Sequence, residues 1–170
     1  SATMMNKVFE IIEAKKIFEL DYNKIDILTH PLSYVHAIIK YSNGLSKIII
    51  HDTDMRIPIF STLYNYTKKN KFFNNDINLN KLNNLNLKKI DNKKFPLVKL
   101  LKSMPHKNSL FETVIVSAND ELVNQFLKKK IKFIDITRKL IKLSNNSEFI
   151  KYKKKLPKKI NDIIKLDNYV

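Results

Sequence analysis

The sequence predicts an α+β protein: a helix, then a small, mainly antiparallel sheet, then a C-terminal helical bundle domain. Apolar residues recur at helical spacing over residues 4–20 and again in three patterns beyond residue 95. Between them, β-rich runs at 25–29, 34–41 and 45–50 lie close together in the chain. Gly44 is the only glycine in 170 residues, so no G-x-G-x-x-G loop exists here, and with it no dinucleotide-binding βαβ unit.

The first helix can turn Met5, Val8, Phe9, Ile12 and Phe18 inward. Ser1 and Thr3 stand at its start, where unpaired backbone N–H groups favour an anion. Asn6, Lys7 and Glu10 fall within an arc of about 100° at the helical angular step, so an amide, an ammonium and a carboxylate share one face. A capped amphipathic helix with a solvated polar face has the same pattern. In the sheet, Asn43-Gly44 suits a tight hairpin with positive φ at both central residues. Val35, Ala37 and Ile39 alternate with His36, Ile38 and Lys40, so apolar residues fall on both sides. That fits a sheet covered on both faces or paired across a subunit interface.

Residues 55–66 read as a second helix with Pro58 in its first turn. The Asn/Lys-rich segment 68–94 reads as a linker with short packed pieces around Leu79, Leu82, Leu85 and Leu87. Helical patterns follow at 96–104, 118–130 and 135–143, with Ser117 or Asn119 and then Asp135 as caps, and a basic helix closes the chain at 157–166. The expected organisation is 1–66, a linker at 67–94, and a helical domain at 95–170.

The formal net charge is +16, yet all of the 32 basic residues except Arg56 and Arg138 are lysines. Phosphate and base recognition favours arginine interleaved with aromatics, and neither is concentrated here. The runs 128–130 and 153–155 read as solvated faces, so no nucleic-acid partner is expected. No apolar run approaches the roughly 20 residues of a membrane span, and no membrane partner is expected. The absence of cysteine excludes disulfides and thiolate metal sites. His30 and His36 lack the i, i+4 spacing of a zinc helix and read as structural, as does Ser33, which has no nucleophile-base partner nearby. His51 and His106 have no evident partner.

The run Ser1-Ala2-Thr3-Met4-Met5-Asn6-Lys7 with Glu10 resembles the S-A-T-M-M-N-K-x-x-E segment of the 1-deoxy-D-xylulose 5-phosphate reductoisomerase family. The likeness continues in Ile12-Glu13-Ala14, His30-Pro31-x-Ser33-x-x-His36 and Asp54-Met55-Arg56-x-Pro58. It fades between about residues 64 and 94. It returns in Phe95-Pro96-Leu97-Val98-Lys99-Leu100, Ser117-Ala118-Asn119-Asp120 and Ile131-Lys132-Phe133-Ile134-Asp135-Ile136.

The resemblance implies NADPH-dependent conversion of 1-deoxy-D-xylulose 5-phosphate to 2-C-methyl-D-erythritol 4-phosphate, in non-mevalonate isoprenoid synthesis. It implies a phosphorylated sugar substrate, with Ser1, Asn6 and Lys7 contacting phosphate and hydroxyl oxygens. Glu10 would be a catalytic residue that touches substrate and is one of three carboxylate ligands of Mg²⁺ or Mn²⁺. Met55 would stand beside the nicotinamide. Residues 1–66 would belong to a catalytic and dimerisation domain of a homodimer, in a bacterial cytoplasm or a plastid-type organelle. The NADPH domain and the other metal ligands would lie upstream, so this chain alone is expected to be a C-terminal portion without activity.

The sequence departs from the family at Leu32, where glutamine is common, at Thr53, where proline is usual, and at Asp120, where glutamate is common. Asp120 reads as an acid in a helix's first turn. Two other readings are a basic helical module for nucleic acid or an acidic partner, and a non-catalytic dimerising subunit.

Overall fold

In the first helix, α1 (Met5–Phe18), the periodic apolar residues do turn inward: Met5, Val8, Ile11 and Ile12 are buried. Phe18, expected to pack, is 68% exposed in the last turn. The computed structural model describes residues 2–64 and 76–170. Contacts divide the chain into two units: residues up to Ile27 joined with Ile90–Val170, and Leu28–Lys89.

In the first unit, α1 packs on a 3-10 turn, Pro96–Lys99, which runs into α4 (Leu100–Ser103). Then come α5 (Phe111–Leu127), α6 (Phe133–Ser144), α7 (Ser147–Ile150), a second 3-10 turn at Lys151–Lys154, and α8 (Ile160–Asp167). The helix α5 lies at the centre, against α6 and α8. Its Phe111, Ile115, Ala118 and Leu122 share one core with Met5 and Val8 of α1, Leu97 of the 3-10 turn, and Ile136 and Leu140 of α6. Each large side chain so buried contributes about 1.5–3 kcal/mol. Leu110, Val114, Phe149 and Leu166 form a smaller cluster that seats α8.

The start of α5 lies well before the expected residue 118. Glu112 accepts the Ser109 backbone N–H at 2.9 Å and the Ser109 hydroxyl at 3.0 Å, while Ser109 Oγ accepts the Phe111 N–H at 3.1 Å. This reciprocal box caps the helix. Ser117 and Asn119, expected as caps, are buried inside it, and the Ser117 hydroxyl donates to Asp167 at 2.5 Å, tying α5 to α8. Asp135, expected as the cap that opens this helix, is the third residue of α6 and reaches back to accept the Lys132 N–H at 3.0 Å.

Among the described residues, the second unit holds two separate ribbons in place of one sheet. Strands β1 (Leu28–Thr29) and β4 (Lys88–Lys89) pair antiparallel, as do β2 (Val35–Lys40) and β3 (Ser46–Ile50). The run 25–29 supplies only two strand residues, because Ile25 and Ile27 pack into the first unit's core. The β2–β3 turn also departs from expectation. Gly44 N–H donates to Tyr41 C=O at 3.1 Å, Tyr41 N–H donates to Leu45 C=O at 2.9 Å, and only Gly44, at φ 89°, is left-handed. A three-residue loop with the glycine in the bulge position results, and Asn43 instead accepts the Leu45 N–H through its side chain at 3.1 Å. Both faces of the hairpin are open, with Ile38 40%, Ile39 40%, Ile48 47% and Ile49 39% exposed.

After β3, α2 spans Arg56–Leu63, and the expected continuation at 65–66 lies outside the described residues. The expected linker contains α3 (Leu79–Asn83), capped by Asn78, and then β4. The contact division therefore groups residues otherwise than 1–66, 67–94 and 95–170: α1 joins the C-terminal helices through its buried face. Among the described residues, no helix is long and apolar enough to cross a membrane.

Candidate functional site

The entry to α1 is bent into place. Met4, the residue before the helix, is left-handed at φ 60° and 8% exposed, and Thr3 Oγ1 accepts the Met5 N–H at 3.3 Å. A non-glycine residue pays roughly 1–2 kcal/mol for that backbone, and burial of its side chain holds it there. Met4 carried no signal of this in the sequence beyond its place in the motif.

The helix inner face is locked by more than apolar packing. Lys15 is 6% exposed, donates from Nζ to Asn108 Oδ1 at 3.2 Å and sits 5.1 Å from the Tyr22 ring centroid. The Tyr22 hydroxyl reaches Glu112 at 3.5 Å, and Glu112 is 2% exposed. Burial first, and the Glu112 charge second, push the Tyr22 hydroxyl above its ordinary pKa. Sequence reading missed this group. The Ser109-x-x-Glu112 spacing ahead of an apolar run was the available signal.

With the inner face fixed, Asn6, Lys7 and Glu10 all project to solvent. The Lys7 ammonium donates to both Glu10 oxygens, at 2.7 and 3.0 Å. Their side chains remain 47% and 57% exposed, so the pair is accessible to ligands. Ser1 lies outside the described residues. Glu10 offers hard oxygen donors of the kind magnesium takes. Among the described residues no group of three His, Asp or Glu side chains could hold an ion.

Met55 belongs to the second unit, is 64% exposed and leads into α2. Thr53 stands where the family usually has proline, and the residues that follow it are hydrogen-bonded to one another. Asp54 accepts the Arg56 backbone N–H at 2.9 Å and the guanidinium at 2.6 to 3.0 Å. The hydrogen bonds from Arg56 hold the Asp54 carboxyl below the usual range.

His30 Nε2 accepts the Val35 N–H at 3.1 Å, which fits a structural role. His36 sits where the β2–β3 register shifts, its ring stacked on His51 with centroids 3.5 Å apart, and Nε2 donates to the His51 carbonyl at 3.1 Å. Asp120, expected in a first turn, lies in the middle of α5, because that helix begins at Phe111.

Residues 50–170 match the family model described as the DXP reductoisomerase C-terminal domain. The whole chain is 58% identical to the 1-deoxy-D-xylulose 5-phosphate reductoisomerase of Pelagibacter ubique, covering 44% of that protein. Over 89% of the chain it is 36% identical to the enzyme of the same name from Sulfurihydrogenibium, covering 40% of it. Among solved structures, the Zymomonas mobilis enzyme in complex with NADPH superposes with a TM-score of 0.80 at 32% identity, over 99% of this chain and 43% of that one. A reductoisomerase complex with NADPH, fosmidomycin and magnesium gives 0.87 at 27% identity, over 99% and 42%. The chain thus spans less than half the length of the relatives it matches.

Proposed function

The chain belongs to the 1-deoxy-D-xylulose 5-phosphate reductoisomerase family, and on that footing we propose that it forms part of an enzyme converting this sugar phosphate to 2-C-methyl-D-erythritol 4-phosphate. The chain spans 44% of the Pelagibacter enzyme, so the activity is proposed for an enzyme of that full length, to which these 170 residues contribute. The carrying observation is the exposed Lys7–Glu10 pair, with Asn6 on the same face of a helix whose opposite face is buried.

In this reading Lys7 holds the substrate phosphate as a point charge, and Asn6 and Ser1 add directed hydrogen bonds. Glu10 is a ligand of magnesium or manganese, with the remaining ligands elsewhere in the enzyme. The bound cation supplies Lewis acidity at the adjacent substrate oxygens, and NADPH supplies the hydride. Met55, on a loop clamped by Asp54 and Arg56, offers an apolar surface to the nicotinamide. The open faces of the β2–β3 hairpin support a homodimer, since its four exposed isoleucines are more apolar surface than a solvated ribbon needs. The absence of cysteine fits a reducing compartment such as the cytoplasm.

Kinetics of the full-length enzyme test the assignment. Glu10→Gln keeps the shape and removes a charge from the metal ligand set, so turnover should fall by orders of magnitude with NADPH affinity unchanged. Lys7→Ala should weaken substrate binding as well as turnover, because phosphate held away from the reacting carbons positions them. Ordinary turnover and metal dependence in Glu10→Gln would remove the assignment.

A further inference from the structure

We propose that the Lys7–Glu10 ion pair is a resting contact that couples cation and anion binding: a divalent cation taken by Glu10 frees Lys7 for phosphate, and phosphate taken by Lys7 frees Glu10. This rests on the reading that Glu10 binds the cation and Lys7 the phosphate. The geometry makes the two occupancies compete with one shared contact. Both Glu10 oxygens hold the ammonium, at 2.7 and 3.0 Å, so a cation that takes the carboxylate meets a like charge beside it and gains by displacing it. The Lys7 ammonium is already paired with both Glu10 oxygens, so a phosphate meets a cation whose charge a neighbouring carboxylate partly offsets.

The contact is weak enough to open. Its partners are i, i+3 neighbours on one helix, 47% and 57% exposed, and such pairs are modest in water. The backbone need not move, because Met5, Val8, Ile11, Ile12 and Lys15 hold the other side of α1 in the core. Opening is then a rotation of two side chains on a fixed helix. Linkage makes the effect reciprocal: whatever factor the cation gives phosphate, phosphate gives the cation. An exposed pair sets that factor at about two- to fivefold.

Calorimetry on the full-length protein separates the possibilities. Inorganic phosphate titrated into chelator-treated protein should bind Glu10→Gln about two- to fivefold more tightly than wild type. That gain would come from a variant that has lost a metal ligand. Glu13→Gln removes the same charge from an exposed position one turn further along, outside the pair, and should leave phosphate affinity unchanged. Magnesium chloride titrated without phosphate should bind Lys7→Met more tightly by the same factor. Phosphate affinity in Glu10→Gln equal to wild type, or a gain matched by Glu13→Gln, would overturn the resting contact. Undiminished magnesium binding in Glu10→Gln would instead overturn the metal-ligand reading, whatever phosphate does.

Discussion

Lys15 and Lys7 sit on one helix with opposite fates, and the difference shows what a residue type alone conveys. That Asn6, Lys7 and Glu10 share an exposed face was legible because they fall within about one helical turn. Lys15 was not, since a lysine reads as surface. Its burial depends on Asn108 and Tyr22, partners that only the fold brings near. Tyr22 gives that network a pH signature. Its folded pKa is raised above the ordinary 10.0, so its contribution is complete below pH 10 and is lost as pH rises through the folded value. Denaturation of wild type and Tyr22→Phe from pH 8 to about 12 should therefore show wild type losing its relative advantage only above about pH 10. A difference between the two that stays flat across the range would place the hydroxyl outside the network.

At the scale of elements, helices and hairpins were found in the right places more often than their ends were. The helix α5 was displaced by several residues because Ser117 and Asn119 look like caps, while the working cap is the Ser109–Glu112 box upstream. The hairpin turn was recognised through Asn43-Gly44, but its loop length is set by strand register, which those two residues do not encode. The far end of α5 shows a further constraint. Lys129 N–H donates to Phe126 C=O and Lys130 N–H to Gln125 C=O, both at 2.9 Å, with Lys129 left-handed at φ 58°. Glycine usually fills that position because it bears no Cβ. Lys129→Gly should therefore stabilise the protein by about 0.5–1 kcal/mol in chemical denaturation. A loss of stability would mean that the lysine side chain contributes more than its backbone costs.

For the whole molecule, sequence order and contact order part company. Boundaries drawn where composition changes placed α1 with the strands that follow it, yet its buried face belongs to a core built with Leu97, Phe111 and Leu140. Periodicity identifies the buried face of a helix and leaves its partner unspecified. The net charge of +16 was read as solvated lysine faces, and the ion pair on α1 uses a single lysine of that excess. The chain belongs to the reductoisomerase family, and the central proposal is that α1 presents Glu10 and Lys7 to a metal ion and a phosphate. A crystal structure of the full-length protein with magnesium and the sugar phosphate tests that claim most directly. The expected result is a cation about 2.0–2.1 Å from a Glu10 carboxylate oxygen, the phosphate within hydrogen-bond reach of Lys7 Nζ, and the Lys7–Glu10 contact open. A magnesium ion fully coordinated without Glu10, with the phosphate held away from Lys7, would contradict it.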